Sequence, residues 1–211
     1  MRPLVLYHDN CPDGFTAAWA VWRALGEEVE YRAKNYGQSM PSQPSDYNGR
    51  RLIFVDFSLP REQLETLVRF GASVEVYDHH KTAQTDLGVL NGASVVFDME
   101  RSGAGIAWDE FHAGTPRPPL VSYVEDRDLW RWLLPDSREV SEFVFTVQQT
   151  FAEWDQLASG VAYYREQIVE AGKALLRAKR ERVATICKNT RWLTFGHPHS
   201  TFGEHRIPIV N

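Results

Sequence analysis

The chain has 211 residues, of which 43% are hydrophobic and 24% are charged, as expected for one globular domain with at most a small second domain. Its net charge of −5 argues against the strongly basic surface of proteins that bind duplex nucleic acid, although bound metal ions could still attract an anionic ligand. No apolar run approaches the roughly 20 residues of a membrane span, and the short apolar N-terminus does not resemble a secretory signal. Because the only cysteines are Cys11 and Cys187, we expect no disulfide framework. Together, these features predict a cytoplasmic protein without a membrane partner.

Apolar runs alternate with helical patterns through the first half of the chain. The strands are predicted at 2–8, 50–58, 72–80 and 92–99. The helices are predicted at 11–28, 59–72, 101–114 and 118–132. This alternation predicts an α/β fold with a mostly parallel sheet and helices on both faces.

The character of the sequence changes near residue 151. Residues 151–190 are predicted to form one long helix, basic in its second half, that connects two domains. β-prone pieces follow at 191–195 and 206–210, but about 20 residues are too few for an independent β domain. We therefore expect an α/β domain over 1–150, the connector helix, and the start of an incomplete small α/β domain over 191–211.

Histidines and aspartates stand at the ends of three predicted strands. His8 ends the first strand, Asp56 ends the second, and Asp78, His79 and His80 end the third. Because the carboxyl ends of parallel strands share one edge of the sheet, we expect these side chains to converge. Crowded carboxylates repel one another unless a cation neutralises them. Oxygen and imidazole ligands together suit Mn²⁺, Mg²⁺, Fe²⁺ or Zn²⁺.

Further acidic residues fit the same pattern. Asp13 stands where the helix after the first strand begins, and Glu125, Asp126 and Asp128 lie together after a helical run. Sequence spacing does not choose between Asp126 and Asp128 as the residue that completes a metal site. Two ions about 3.5–4 Å apart are the usual device for in-line phosphoryl displacement. The residues therefore predict a two-metal hydrolytic site.

Four short motifs carry a resemblance to a known family. HDNCPDG (8–14), FVDFS (54–58), YDHH (77–80) and VEDRD (124–128) resemble, in that order, the motifs of the DHH phosphoesterase superfamily. The resemblance covers residues 4–135. It implies a hydrolase that uses two Mn²⁺ ions, with Mg²⁺ or another divalent ion as the alternative. The substrate that it implies is a nucleotide or a short single-stranded oligonucleotide, cleaved at a phosphodiester.

The resemblance also implies roles for individual residues. The implied metal ligands are His8, Asp13, Asp56, His79 and Asp126. His80 would face the substrate phosphate, and Asp78 would orient a neighbouring ligand rather than bind metal directly. Asp126 is preferred to Asp128, which would instead pair with an arginine.

The sequence departs from the family's pattern at two places. Cys11 stands where the first motif commonly carries an aspartate: either it is an inert thiol and one metal site is weakened, or it binds metal as a thiolate, or Asp9 substitutes from a shifted position. The glycine-rich, histidine-containing motif of the family's C-terminal domain is not found, and GHPH (196–199) does not match it. These departures leave a second function open, a sensor that binds metal and nucleotide with weak catalysis. A Rossmann-type dinucleotide binder is excluded because no GxGxxG follows the first strand.

Other conspicuous residues are interpreted as structural. Four tryptophans are expected in the core rather than as base-stacking platforms: Trp19, Trp22, Trp130 and Trp132. Basic residues of the predicted long helix are expected on a solvated face: Arg177, Lys179, Arg180 and Arg182. Three histidines are expected in loops: His197, His199 and His205. The oligomeric state stays open, with a homodimer as one alternative.

Overall fold

The computed structural model describes residues 1–40, 42–188, 190–195 and 205–209. The strands are β1 (Leu4–His8), β2 (Glu30–Lys34), β3 (Arg51–Val55), β4 (Ser73–Asp78), β5 (Ala93–Phe97), β6 (Arg191–Phe195) and β7 (His205–Ile209). The helices are α1 (Pro12–Leu25), α2 (Arg61–Arg69), α3 (Lys81–Leu87), α4 (Gly103–Phe111), α5 (Pro119–Asp128), α6 (Ser137–Val144), α7 (Phe151–Tyr163) and α8 (Arg165–Cys187). Short 3₁₀ turns occur at Gly26–Glu28 and Pro44–Tyr47.

Five strands form one parallel sheet in the order β2-β1-β3-β4-β5. This arrangement confirms the predicted α/β fold. The sequence analysis did not predict β2, whose residues are half-buried or exposed along their whole length. An edge strand of this kind lacks the continuous apolar run that marks a strand buried on both faces.

Two apolar clusters cover the two faces of the sheet. Val5 and Ile53 belong to the cluster that includes residues of α1, α4, α5 and α7, whereas Leu4, Leu6 and Phe54 belong to the cluster that includes α2 and α3. Successive side chains of a strand point to opposite faces, so each central strand is buried on both sides. The helices therefore fix the strand ends from above and below.

The predicted single helix over 151–190 is two helices in the structure. The break falls at Tyr164, whose φ of −129° and ψ of 31° are not helical. Trp154 of α7 is fully buried, and its indole nitrogen donates a hydrogen bond of 3.0 Å to the hydroxyl of Thr16. The first of the two helices is thus packed against α1, whereas α8 packs along α6, where Gly172 faces the main chain of Glu139. The division of the chain into domains stays a prediction.

Beyond α8, β6 and β7 form an antiparallel pair, in agreement with the strands predicted there. His205 begins β7 rather than lying in a loop. His197 and His199, and with them the GHPH segment, lie outside the described residues. Among the described helices, none combines the length and apolarity that crossing a membrane requires.

Candidate metal centre

The carboxyl ends of β1, β3 and β4 lie side by side. Tyr7 of β1 pairs with Val55 of β3, which in turn pairs with Tyr77 of β4. The residues that follow these positions therefore emerge at one edge of the sheet. They include His8, Asp56 and Asp78, as expected from the order of the strands.

Asp56 is buried at this edge without the partners that a buried carboxylate normally has. Its exposure is 1%, and Oδ1 has no hydrogen-bond partner among the described residues. Burial raises the pKa of Asp56 well above its usual value, and the negative charges of Asp13 and Asp78 raise it further. Because an unpaired buried carboxylate is strongly destabilising, this side chain suits a bound cation.

The main chain of Asp56 is also unusual. Its φ of 50° is in the left-handed region, which few residues other than glycine adopt, although aspartate and asparagine do so more often than most. Gly103 packs directly against it, since a Cβ at that glycine would lie 2.4 Å from the Cβ of Asp56. Left-handed residues are typically destabilised by about 1–3 kcal/mol and are frequent at functional sites.

Asp13 is held by the beginning of α4. One carboxylate oxygen accepts a hydrogen bond of 2.7 Å from the amide of Gly103, and the other accepts one of 3.0 Å from the amide of Ala104. Ser102 caps this helix by accepting a hydrogen bond from the amide of Gly105. These two hydrogen bonds hold the side chain of Asp13 in place at the edge of the cluster.

His79 lies between three carboxylates. Its Nε2 atom is 3.3 Å from Oδ1 of Asp56, 3.4 Å from Oδ2 of Asp128 and 3.7 Å from Oδ2 of Asp13. In the group formed by Asp13, His79 and Asp128, the ligand atoms all lie within 4.8 Å of one another. This spacing allows one cation to contact all three side chains.

Two more groups of ligand atoms meet the same 4.8 Å limit, and both contain Asp56. One joins Asp56 to His79 and His80, and the other joins it to His8 and Cys11. Burial lowers the pKa of His8, and the neighbouring His80 lowers it further, which favours the neutral imidazole that binds metals. The shared position of Asp56 is what a carboxylate that bridges two cations requires.

Asp126 has a different environment from the one that the resemblance implied. Its carboxylate accepts hydrogen bonds from the amide of Leu133 at 2.8 Å, the amide of Leu134 at 3.3 Å and the hydroxyl of Ser137 at 2.5 Å. These bonds hold the segment that follows α5. The structure thus brings Asp128, not Asp126, to His79.

Asp128 shares the electrostatics of the cluster. Burial raises its pKa to about 6, and the charge of Asp13 contributes to the rise. Arg127 and His79 act in the opposite direction. An acidic residue destabilised in this way gains from a nearby cation.

Cys11, not Asp9, lies among the candidate ligands. The carboxylate of Asp9 accepts hydrogen bonds from the amide of Asn10 at 2.9 Å and from the side chain of Asn35 at 3.2 Å. The half-buried thiol of Cys11 instead groups with His8 and Asp56. Burial and the charge of Asp56 raise the pKa of this thiol to about 12, so it is protonated unless a metal displaces the proton.

His80 is fixed by Asp78 at the rim of the cluster. Oδ1 of the fully buried Asp78 lies 2.7 Å from Nδ1 of His80 and accepts a hydrogen bond of 2.7 Å from the amide of His79. The ring of His80 is also near Tyr36, with 6.0 Å between the ring centroids. Tyr36 was not predicted as a site residue because it lies in a loop and no motif includes it.

Comparisons with known proteins give a fold but no family. No protein-family profile matches the sequence. An uncharacterized protein of Acanthamoeba polyphaga mimivirus is 27% identical over 206 residues, which are 90% of this chain and 48% of the relative. The chain therefore spans about half the length of the curated relative that it matches.

Among solved structures, an uncharacterized protein from Helicobacter pylori G27 superposes with a TM-score of 0.60 at 15% identity, over 86% of this chain and 63% of that chain. The two chains share a fold. The exonuclease RecJ bound to manganese gives a TM-score of 0.47 at 17% identity, over 89% of this chain and 64% of that one. RecJ from Thermus thermophilus in complex with Mn²⁺ gives a TM-score of 0.44 at 19% identity, over 82% of this chain and 32% of that chain.

Proposed function

We propose that the chain is a metal-dependent phosphoesterase of the DHH type that hydrolyses a phosphodiester in a nucleotide or a short single-stranded oligonucleotide. The observation that carries this proposal is Asp56, a buried carboxylate that groups with His8 and Cys11 and whose Oδ1 lies 3.3 Å from Nε2 of His79, a member of the group with Asp13 and Asp128. The four ordered motifs support it independently, since they supply every member of those groups. Mn²⁺ is the proposed cation, with Mg²⁺ or another divalent ion as the alternative.

The proposed ligand sets differ from those implied by the resemblance at two positions. One cation would be held by His8, Cys11 and Asp56. The other would be held by Asp13, Asp56, His79 and Asp128, with Asp128 in place of Asp126. The donors fit divalent cations because they combine carboxylate oxygens with imidazole nitrogens. When bound, such cations polarise a phosphate and lower the pKa of a water molecule to near neutral.

The remaining residues would orient the substrate and move protons. Asp78 accepts from the amide of His79 and holds Nδ1 of His80, so that the other ring nitrogen of His80 is free to contact a phosphate oxygen. Tyr36, 5.4 Å from His8 and 6.0 Å from His80 between ring centroids, would form one wall of the site. The amides at the start of α4 orient the side chain of Asp13.

The test is hydrolysis of the dinucleotide pApA in the presence of Mn²⁺, with Asp56→Asn and Asp155→Asn compared with the wild type. Asp155 is a remote control that pairs with Trp19 and Arg23. We expect the wild type and Asp155→Asn to release mononucleotides and Asp56→Asn to lose more than the ~10- to 100-fold typical of removing an outer metal-site partner. Metal binding without turnover in the wild type would favour the sensor function, and no binding of metal would exclude both.

A further inference from the structure

A cavity of about 560 Å³ opens between α6, α8 and the segment that follows α5. Its size is within the range of small-molecule sites, about 300–1,000 Å³. Its walls combine aromatic rings with basic side chains, a combination that neither the motifs nor the metal ligands explain. We call this space the aromatic–basic cavity.

Trp130 and Trp132 form the aromatic part with Phe145. The two indole rings meet edge to face with 5.2 Å between centroids. Trp130 is 71% exposed, so the prediction that it belongs to the core is wrong. Its exposed indole offers a flat apolar face on which a planar ring can stack.

The main chain holds these tryptophans in a costly conformation. Trp130 and Trp132 have φ angles of 56° and 55°, which are unusual for bulky residues. The hydrogen bonds from the amides of Leu133 and Leu134 to Asp126 fix the same segment. The exposed indole is thus presented by a fixed main chain rather than by a freely moving loop.

The basic part of the cavity has more positive charge than the protein neutralises. Arg138 stacks on Trp132 with 4.4 Å to the ring centroid, and Arg127 stacks on Phe145 at 4.6 Å. Lys179 pairs with Glu142, whereas Arg180 has no ion pair or hydrogen bond within the described part of the chain. The guanidinium groups of Arg127 and Arg138 beside aromatic faces, together with the unpaired Arg180, suit a ligand that carries both a planar base and a phosphate.

Arg127 connects this cavity to the metal centre. It lines the cavity, and its guanidinium lies 3.9 Å from Oδ1 of Asp128. Trp130 follows Asp128 by two residues. A phosphate held at the cations would therefore lie near the guanidinium of Arg127, which also lines the cavity.

We propose that the aromatic–basic cavity binds the nucleotide next to the scissile phosphate, with its base stacked on Trp130 and a phosphate in contact with Arg127 and Arg180. This assignment deepens the proposed function and rests on it for the position of the scissile bond. The contacts with Trp130, Arg127 and Arg180 involve no cation, so the cavity's share of the binding is measurable apart from hydrolysis. The exposed indole would make the site tolerant of base identity, since every base has a face that can stack.

The first test measures Kd for pApA and for an analogue that lacks one base, in a buffer with chelator, for the wild type, Trp130→Ala and Leu133→Ala. Leu133 is a matched control because it is 80% exposed in the same segment but does not line the cavity. We expect the wild type and Leu133→Ala to bind pApA about 5- to 150-fold more tightly than the abasic analogue. In Trp130→Ala this difference should disappear.

The second test compares Arg180→Ala with Arg182→Ala, two exposed arginines of α8 of which only Arg180 lines the cavity. The logarithm of the binding constant for pApA should decrease with the logarithm of the salt concentration. This decrease should be less steep by about 0.7 in Arg180→Ala and unchanged in Arg182→Ala. Equal affinities of the wild type for pApA and its abasic analogue would overturn the cavity assignment, as would identical effects of the two members of either pair. If the wild type still hydrolyses pApA in that case, the proposed function stands without the cavity.

Discussion

Oδ1 of Asp78 lies 2.7 Å from Nδ1 of His80. An ionised carboxylate only accepts hydrogen bonds, so this contact places the proton on Nδ1 and leaves Nε2 as the free ring nitrogen. The amides of His79 and His80 also donate to the same oxygen, at 2.7 and 3.2 Å. The buried aspartate thus fixes both the ring and the turn that carries two candidate functional histidines.

Asp78→Asn tests whether this contact positions His80. The amide would still fit the space but could present an N–H to the ring and reverse the tautomer. We expect kcat for pApA to fall by about 10- to 100-fold with little change in KM, and the pH profile of kcat to shift. If only the melting temperature changes and the pH profile of the remaining activity is that of the wild type, Asp78 is purely structural.

Comparing Asp126→Asn with Asp128→Asn tests whether Asp126 is structural and Asp128 is the metal ligand. Because Asp126 accepts three hydrogen bonds in the segment after α5, its substitution should lower the free energy of unfolding by about 1–3 kcal/mol and leave Mn²⁺ affinity within about twofold. Asp128→Asn should weaken Mn²⁺ binding by at least about tenfold while preserving the fold. Calorimetric titration with Mn²⁺ and thermal unfolding of both variants give the two quantities. The opposite assignment of effects would restore Asp126 as the ligand.

Burial of carboxylates, together with the repulsion between them, predicts an unusual pH dependence for the metal-free protein. The pKa of Asp56 and that of Asp128 are raised on folding, so the folded state holds these protons more tightly than the unfolded state. Stability is therefore lost as pH rises, for Asp128 between its unperturbed value of 3.8 and about 6.

Asp56→Asn should consequently stabilise the protein in chelator at neutral pH, by roughly 1–3 kcal/mol, and destabilise it relative to the wild type once Mn²⁺ is added. Thermal unfolding with and without metal measures both effects. Glu110→Gln removes a charge at an exposed residue of α4 and is the control. It should neither stabilise the protein in chelator nor destabilise it when Mn²⁺ is present. A variant less stable than the wild type in chelator would contradict the account of Asp56.

Cys11 gives the candidate centre a spectroscopic signature. If the thiol binds the cation beside His8 and Asp56, Co²⁺ should produce a thiolate-to-metal charge-transfer band that is lost in Cys11→Ser. Metal binding would also release a proton from this thiol, whose pKa is otherwise raised to about 12. A Co²⁺ spectrum identical in the two proteins would show that Cys11 is not a ligand.

The sequence predicted the sheet and the convergence of the strand ends for a clear physical reason. Apolar runs mark β1 and β3 and an alternating apolar pattern marks β4, and the parallel arrangement brings His8, Asp56 and the Asp78 region together. The edge strand β2 escaped prediction because its side chains are not buried on both faces.

The sequence alone could not predict whether Asp126 or Asp128 lies beside His79. Residues two positions apart on α5 point in different directions, and only the fold determines which one faces His79. The exposure of Trp130 could not be predicted either, because it depends on a left-handed main-chain conformation that the residue type does not favour.

The central claim is that Asp56 bridges two cations, and a Mn²⁺ titration of the wild type and Asp56→Asn tests it most directly. We predict two ions bound per wild-type chain, and a variant in which both are weakened together because the bridging oxygens serve both sites. A single ion per wild-type chain, or a variant that keeps both ions at unchanged affinity, would contradict the account.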